Sequence, residues 1–246
     1  MSPWVLEVLS KRNIPQRTTA WYDARKGRLT ASDVAAAIGK NPYLTPRALL
    51  KRKICPPDFK GNAATEWGQK YEDAAILRYE HLTGEVVWPC GLFVHAEHSC
   101  LAGSPDGLTN SKKLIEVKCP FRKALEPSCP DVYYPQVQTC LEIVNAEACD
   151  FIQYIPPTTW NKEQIIILTV PRNREWFKKY LSTMVNFTVV LKEETGKRPL
   201  LSAPVPTKTK KPRTKPTGPM TIDTSCDNVV IDLVPDTRSR AGVCFG

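Results

Sequence analysis

The sequence lacks several features that define common classes of protein. It contains no apolar run long enough to span a membrane, and only residues 4–6 are apolar before the first charge, so no signal peptide is predicted. The phosphate-loop pattern Gly-x4-Gly-Lys-Ser/Thr is also missing, which excludes an ATP-driven motor as an activity of this chain. We therefore expect an intracellular protein that has no membrane partner.

The spacing of a standard zinc site is missing as well, although the chain has nine cysteines. The nearest set of candidate ligands is Cys90, His95, His98 and Cys100. Its spacing matches no standard zinc knuckle, so no zinc site is predicted. In a reducing compartment the cysteines are expected to remain free thiols.

Basic residues outnumber acidic ones, and the formal net charge of +9 favours a polyanionic partner. The excess is uneven, because from residue 196 onward nine Lys or Arg face four Asp. Residues 1–195 therefore carry a net charge of only +4. A folded part with so small an excess needs a local basic groove to hold nucleic acid.

The composition changes near residue 196, and three segments are predicted. Residues 197–219 contain six prolines and seven Lys or Arg with no acidic residue, so residues 196–220 are expected to form a disordered linker. Its basic run is compatible with a nuclear-import signal, a DNA-binding arm or a plain solvated linker. Residues 221–246 are a short segment, either disordered or docking on a partner, and residues 1–195 form the folded functional domain.

Two carboxylates stand close together in the middle of the chain. Asp106 lies in the turn-like sequence Ser-Pro-Asp-Gly, and ten residues later Glu116 opens Glu-Val-Lys in an apolar segment. The polar residues 109–113 between them predict a β-hairpin. Because alternate side chains of a strand share a face, Glu116 and Lys118 are expected to point the same way, with Val117 directed into the core.

Converging carboxylates are the usual ligands of a hard divalent cation such as Mg²⁺. A neighbouring lysine can orient or deprotonate an attacking water or stabilise the charge on a phosphate, so the set favours phosphodiester cleavage. Taken alone, an Asp-Gly turn and a Glu-x-Lys strand are both common on ordinary protein surfaces. The apolar surroundings of Glu116 favour the functional interpretation, because charged residues on buried strands usually carry a function.

Two predicted helices supply further polar residues. Residues 65–77 predict a helix on which Gly68 and Glu72 lie four apart, so the missing side chain leaves space beside a carboxylate. Gln136 lies near the start of another predicted helix.

A third region, near residue 30, suits a phosphate. Arg25 and Arg28 precede Ser32 at a predicted helix start, where basic side chains and free backbone amides can bind an anion.

Five motifs follow one another along the chain. They are Trp-x3-Arg-x-Gly-x2-Thr-Ala-Ser from residue 21, Trp-Gly-x2-Tyr-Glu from residue 67, Ser-Pro-Asp-Gly from residue 104, Glu-x-Lys-Cys-Pro from residue 116 and Gln-x-Gln from residue 136. In order and spacing they closely resemble the lambda exonuclease and YqaJ-type viral recombinase nucleases, members of the PD-(D/E)XK nuclease superfamily. The resemblance extends from about residue 21 to residue 186.

The resemblance implies a role for each candidate residue. The metal ligands it implies are the carboxylates of Asp106 and Glu116 and the carbonyl of Val117, supported by Glu72. Lys118 corresponds to the catalytic lysine, and Gln136 to a glutamine that helps to place the attacking water. Arg25 and Ser32 match contacts to the 5′-phosphate end of DNA. Arg28 stands where the family often has an apolar residue, so it is assigned only general DNA contact.

The activity implied by the resemblance is digestion of one strand of linear duplex DNA from its 5′ end, with one or two Mg²⁺ or Mn²⁺ ions. Such an exonuclease serves recombination, repair or viral DNA end-processing, in the host cytoplasm or nucleus. Its implied partners are double-stranded DNA ends, a single-strand annealing protein and further copies of the chain in a ring-shaped trimer. Two alternatives stay open: an endonuclease on the same metal site, which needs no pocket at Arg25 and Ser32, and a catalytically silent DNA-binding module.

The expected fold class is α/β, with a central mixed sheet flanked by helices in a restriction-endonuclease-like core. Helices are predicted at residues 3–11, 31–38, 46–53, 64–83, 135–144 and 173–195. Strands are predicted at residues 86–94, 102–108, 114–118, 148–155 and 164–170.

Overall fold

Helices and strands are interspersed through residues 1–11, 13–57, 61–159 and 161–197, which the computed structural model describes. The helices are α1 (Pro3–Ser10), α2 (Thr19–Arg25), α3 (Val34–Ala37), α4 (Pro46–Ile54), α5 (Ala63–Thr83), α6 (Tyr134–Val144) and α7 (Arg174–Gly196). The strands are β1 (Leu29–Thr30), β2 (Val87–Trp88), β3 (Phe93–Val94), β4 (Leu101–Gly103), β5 (Gly107–Thr109), β6 (Lys113–Lys118), β7 (Ala148–Ile155) and β8 (Gln164–Pro171). Nearly all of the predicted linker and the whole C-terminal segment lie outside the described residues.

The larger of two sheets has the strand order β2-β5-β6-β7-β8. Strands β6 and β7 pair in parallel from Lys113↔Ala148 to Lys118↔Gln153, and α6 connects them. The remaining pairs are antiparallel, including the predicted hairpin of β5 with β6. A parallel pair needs a crossover connection, which is why α6 lies between β6 and β7 in the chain.

Helices cover both faces of β6. Ile115 and Val117 share a buried cluster with Tyr79 of α5, whereas Leu114 belongs to the cluster of Leu141 on α6. A strand covered on both faces is apolar on both faces. Since side chains alternate along a strand, Glu116 lies on the Leu114 face, toward α6. The expected fold class, a mixed sheet flanked by helices, is confirmed.

The single strands predicted at residues 86–94 and 102–108 are wrong, because each segment contributes to two sheets. Strands β3 and β4 join β1 in a smaller sheet of order β1-β4-β3, while β2 and β5 belong to the larger one. Pro105 interrupts the second segment, since it has no backbone N–H for a ladder. At Gly91 a Cβ atom would lie 1.9 Å from the Ile14 carbonyl oxygen, so only glycine permits this close approach.

Helix α2 is missing from the sequence prediction. It begins at Thr18, whose hydroxyl oxygen accepts a hydrogen bond from the Trp21 amide at 3.2 Å. This cap fixes the first turn of the helix that carries Arg25. Within the described ranges, no helix combines the length and the apolar composition needed to cross a bilayer.

A buried carboxylate fixes the register of the larger sheet. Asp150 on β7 accepts hydrogen bonds from the Tyr79 hydroxyl at 2.7 Å and from the Thr169 hydroxyl at 2.6 Å, and it pairs with Lys113 at 3.1 Å. Burial and the Asp150 charge raise the pKa of Tyr79, so its hydroxyl remains a donor. The network joins α5, β6, β7 and β8, and thereby holds Glu116 in place.

Candidate active site

Glu116 is the centre of the candidate active site, and its side chain is almost fully buried. Its Oε1 accepts a hydrogen bond from Gln136 Nε2 at 2.6 Å and contacts the Lys118 ammonium. Its Oε2 is buried and receives no hydrogen bond from any residue that the structure describes. A buried polar atom without a partner is rare in folded proteins, and on a carboxylate it marks a place for a cation.

Lys118 lies on the same face of β6 as Glu116, which confirms the expected side-chain direction. Its ammonium also lies 5.0 Å from the centroid of the Tyr133 ring. Burial opposes the charge on this side chain, but the carboxylates of Glu116 and Asp106 outweigh that effect and raise the pKa of Lys118. Lys118 is therefore protonated at neutral pH.

Asp106 lies in the short connection between β4 and β5. Its amide donates to the Ile115 carbonyl at 2.9 Å, and its Oδ2 accepts a hydrogen bond from the Val117 amide at 2.8 Å. These two bonds hold the carboxylate beside β6. The structure thus brings Asp106, Val117 and Lys118 together with Glu116, as the hairpin predicts.

Glu72 projects from α5, on the other face of the sheet. It pairs with Arg17 at 3.0 Å. Burial, followed by the charges of Glu72 and Asp106, raises the pKa of the Cys119 thiol to about 12. A Cβ atom added at Gly68 would meet no atom of the described residues within 4 Å, and the space expected beside the Glu72 carboxylate stays a prediction.

No three His, Cys, Asp or Glu side chains converge on one point among the residues that the structure describes. The chemistry of the donor atoms beside Glu116 nevertheless suits a single hard cation. The unpartnered Oε2, the Asp106 carboxylate and the Val117 carbonyl are all oxygen donors, which Mg²⁺ prefers. This ion is commonly held by one or two carboxylates and completes its six ligands with water and substrate phosphate.

A second polar cluster surrounds Thr30 at the end of β1. The Thr30 hydroxyl lies 3.4 Å from Arg25 Nη2 and 3.4 Å from the Ser32 hydroxyl, and it donates to Asp33 Oδ2 at 2.9 Å. The structure therefore brings Arg25 and Ser32 together, as the sequence predicts, with Thr30 between them. Burial lowers the pKa of the Arg25 guanidinium, against the opposing charge of Asp33.

The Asp33 carboxylate anchors two cations that the sequence analysis missed. Arg52 and Lys53, at the end of α4, lie 3.0 and 2.9 Å from its oxygens. Burial opposes the charge of Asp33, but Lys53, Thr30 and Arg52 outweigh it and lower the pKa of this carboxyl. No local sequence pattern joins Asp33 to α4, because the contact spans 19 residues.

Trp21 connects the Thr30 cluster to the segment that carries Asp106. The Arg25 guanidinium lies 4.2 Å from the centroid of the Trp21 ring, and Trp21 Nε1 donates to the Ser104 hydroxyl at 3.0 Å. Trp21 and Ser104 belong to two of the five motifs, but no role was predicted for either side chain. Their contact places the two polar clusters next to each other.

Arg28 uses two of its donors within the protein. Its Nε donates to the Ser99 carbonyl at 2.8 Å, and its Nη1 donates to the Ala24 carbonyl at 2.6 Å. These bonds join the end of α2 to the loop before β4. The assignment of Arg28 to general DNA contact stays a prediction.

Comparison with protein families gives one match that covers just over half of the chain. The family described as the YqaJ-like viral recombinase domain matches residues 20–147. An uncharacterized protein of Acanthamoeba polyphaga mimivirus is 30% identical over 168 residues, which cover 60% of this chain and 31% of that protein. A protein of African swine fever virus is 27% identical over 169 residues, covering 55% of this chain and 48% of its own length. The chain thus spans 31% and 48% of the length of these two viral relatives.

Solved structures with a similar fold are exonucleases. An alkaline exonuclease from Laribacter hongkongensis is 27% identical, with a TM-score of 0.62 over 73% of this chain and 95% of its own. A structure of the same enzyme in complex with dAMP gives a TM-score of 0.63. A phage-related exonuclease from Haemophilus somnus, 16% identical, shares the fold with a TM-score of 0.54 over 69% of this chain and 95% of its own.

Proposed function

The chain belongs to the YqaJ-like viral recombinase family, and on this basis we propose that it is a metal-dependent exonuclease acting on linear double-stranded DNA. The fold shared with an alkaline exonuclease that binds dAMP supports a nuclease with a nucleotide product. We assign this activity to residues 1–195, and we propose that the strand is digested in the 5′→3′ direction. Mg²⁺ is the proposed ion, with Mn²⁺ as a substitute.

The unpartnered Oε2 of Glu116 carries the proposal. Burial of a carboxylate with one unpartnered oxygen lowers the stability of the fold, because the desolvation of that oxygen is not compensated. A protein that only binds DNA has no use for such an oxygen. The other oxygen of Glu116 contacts the charged Lys118, and Asp106 is bonded to the neighbouring Val117 amide, so the arrangement suits a cation and a phosphate together. A catalytic site accounts for this cost, whereas a silent binding module does not.

Each residue of the site has a proposed part in the reaction. Asp106, Glu116 and the Val117 carbonyl would hold the ion, which when bound polarises the scissile phosphate and lowers the pKa of a water molecule. Lys118, kept protonated by its neighbours, stabilises the charge that develops on the phosphate. Gln136 holds the orientation of Glu116 through its hydrogen bond to Oε1. Its second proposed part is to help place the attacking water.

Glu72 has a conditional part in the proposal. Its carboxylate is paired with Arg17, so support of the metal site requires that this ion pair loosen when DNA and metal are bound. A second ion would then lie on the Glu72 side of the site. A single-strand annealing protein and a trimeric ring remain predictions from the family resemblance.

The Thr30 cluster is the proposed pocket for the 5′-phosphate. Arg25 and Ser32 supply one charged and one neutral donor, and Arg52 and Lys53 add positive charge nearby. Charge-assisted bonds of this type favour a terminal phosphate with its two negative charges. Such a pocket selects DNA ends, which favours an exonuclease over an internal cutter.

The test is digestion of linear duplex DNA in Mg²⁺, labelled at either the 5′ or the 3′ end, with a closed circle as control. We expect 5′-terminal mononucleotides to be released first, an intact circle, and slow cleavage without a 5′-phosphate. Asp106→Asn should abolish cleavage and retain DNA binding, while Lys179→Ala, on the exposed face of α7, should behave as the wild type. Cleavage of the circle would instead identify an endonuclease, and turnover by folded Asp106→Asn would refute the assigned site.

A further inference from the structure

Two aromatic rings are exposed to solvent near the candidate active site. Tyr43 is 80% exposed, although Asn41 Oδ1 fixes its turn by accepting hydrogen bonds from the Tyr43 amide at 2.8 Å and the Leu44 amide at 3.1 Å. Phe121 follows Lys118 by three residues, is 36% exposed, and contacts the Trp67 ring edge-to-face at 5.4 Å. Burial does not account for the position of Tyr43, which remains largely in water, and Phe121 keeps about a third of its surface exposed although it packs on Trp67.

Each of these rings is accompanied by a cation from one loop. Lys123 Nζ lies 5.6 Å from the centroid of Tyr43, and the Arg122 guanidinium lies 4.9 Å from that of Phe121. Both cations are exposed. The loop after β6 therefore meets the turn before α4, and it brings both rings and both cations together a few residues after Lys118.

We propose that Tyr43, Phe121, Arg122 and Lys123 bind single-stranded DNA, namely the strand that is left when its complement has been digested. The inference rests on the proposed function for its choice of DNA as ligand. Exposed rings beside cations are the usual surface for an unpaired strand, because bases stack on the rings and the cations bind the phosphates.

A duplex fits this surface less well than a single strand. In duplex DNA the base faces are covered by their neighbours, so only a terminal pair can stack on a protein ring. Phe121 lies three residues after the end of β6, the strand that carries Glu116 and Lys118, so the surface is close in the chain to the proposed cleavage site. An acidic partner protein would use the two cations but has no requirement for flat, exposed rings.

The test measures binding of a fluorescent oligothymidylate and of a blunt duplex to the full chain, without metal so that neither is cut. Alanine at both Tyr43 and Phe121 should weaken single-strand binding by about tenfold for each ring lost and leave duplex binding unchanged. Tyr43→Phe keeps the ring and should retain the affinity. Lys123→Ala should weaken single-strand binding, whereas Lys179→Ala, which removes a similar lysine beside Tyr180, should not.

Single-strand affinity that is unchanged in the double alanine variant would overturn the inference, as would equal losses for both ligands. Loss of binding to an acidic peptide alone would assign the surface to a protein partner instead. The same preparations are assayed for duplex cleavage in Mg²⁺. A wild type that binds the oligonucleotide but cuts nothing would refute the proposed function and leave this inference standing, whereas the opposite pattern would refute only the inference.

Discussion

Gln136 Nε2 donates a hydrogen bond to Glu116 Oε1 over 2.6 Å, and this contact joins helix α6 to strand β6. It occupies, with Lys118, one oxygen of the carboxylate and leaves the other buried without a partner. The orientation of Glu116 therefore depends on a side chain 20 residues further along the chain.

Replacing Gln136 with alanine should lower kcat by about tenfold, because a hydrogen bond to a charged group contributes about 1.5–3 kcal/mol and Glu116 loses its orientation. Steady-state kinetics on 5′-phosphorylated duplex DNA measures the effect. Gln138→Ala is the matched control, since Gln138 bonds the Pro171 carbonyl and the Asn173 amide instead. It should lower Tm and leave the activity of the folded fraction near normal. A normal kcat in Gln136→Ala would contradict the assigned role.

The Arg17–Glu72 ion pair should compete with metal binding. Glu72→Gln removes a supporting carboxylate and should weaken Mn²⁺ binding severalfold, whereas Arg17→Met releases that carboxylate and should strengthen it. Titration calorimetry with Mn²⁺, without DNA, measures both affinities independently of cleavage. Shifts in the same direction, or no shift in either variant, would show that Glu72 does not contribute to the ion site.

Gly68→Ala should make the protein more stable and less active. Alanine in place of glycine inside a helix contributes about 0.5–1 kcal/mol, and the added methyl meets no atom within 4 Å. The same methyl would narrow the space expected beside Glu72, and we expect less activity if DNA passes there. Thermal unfolding and kcat/KM on duplex DNA measure the two effects. Gly196→Ala also meets open space, far along α7, and should leave cleavage unchanged; equal activity in both variants would argue against DNA passing Gly68.

His95 should make the stability of the fold depend on pH. Its Nδ1 accepts hydrogen bonds from the Glu97 and His98 amides at 3.1 Å, and its ring stacks on Phe177. Burial, followed by the charge of His98, lowers the pKa of His95 below 6.5. As the pH falls below 6.5, His95 binds a proton in the unfolded chain but not yet in the folded chain. The free energy of unfolding therefore decreases.

The variant His95→Asn tests this origin of the pH dependence, because asparagine keeps an acceptor at a similar place and does not titrate. Thermal unfolding of both proteins between about pH 7 and about pH 5 should give a smaller loss of Tm for the variant. Parallel pH profiles of the two proteins would assign the acid sensitivity to other groups.

Those parts of the site that depend on local geometry could be predicted from the sequence. The alternation of side chains along β6 places Glu116 and Lys118 on one face, and the polar turn before β6 brings in Asp106. The contacts of Arg17 with Glu72 and of Arg52 with Asp33 could not be predicted, because each joins a helix to a segment that is distant in the chain. They depend on how whole helices pack, which no short motif specifies.

The division of strands between two sheets escaped prediction for a related reason. Residues 86–94 and 102–108 are apolar enough for continuous strands, yet each crosses from one sheet to the other. Pro105 indicates that the second strand is interrupted. The sequence around it does not indicate that β4 pairs with β1, which lies near the start of the chain.

Ser104, Pro105 and Asp106 are the whole connection between the two sheets at this point. Ser104 is bonded to Trp21, over which Arg25 lies, and Asp106 is bonded to Val117. Three residues extend over at most about 10 Å, and the proline ring stiffens them. The connection therefore fixes the distance between the proposed 5′-phosphate pocket and the proposed cleavage site. The size of the fragment released at each step would then be set by the length of this backbone segment, and inserting a residue there should change the product without altering any charged group.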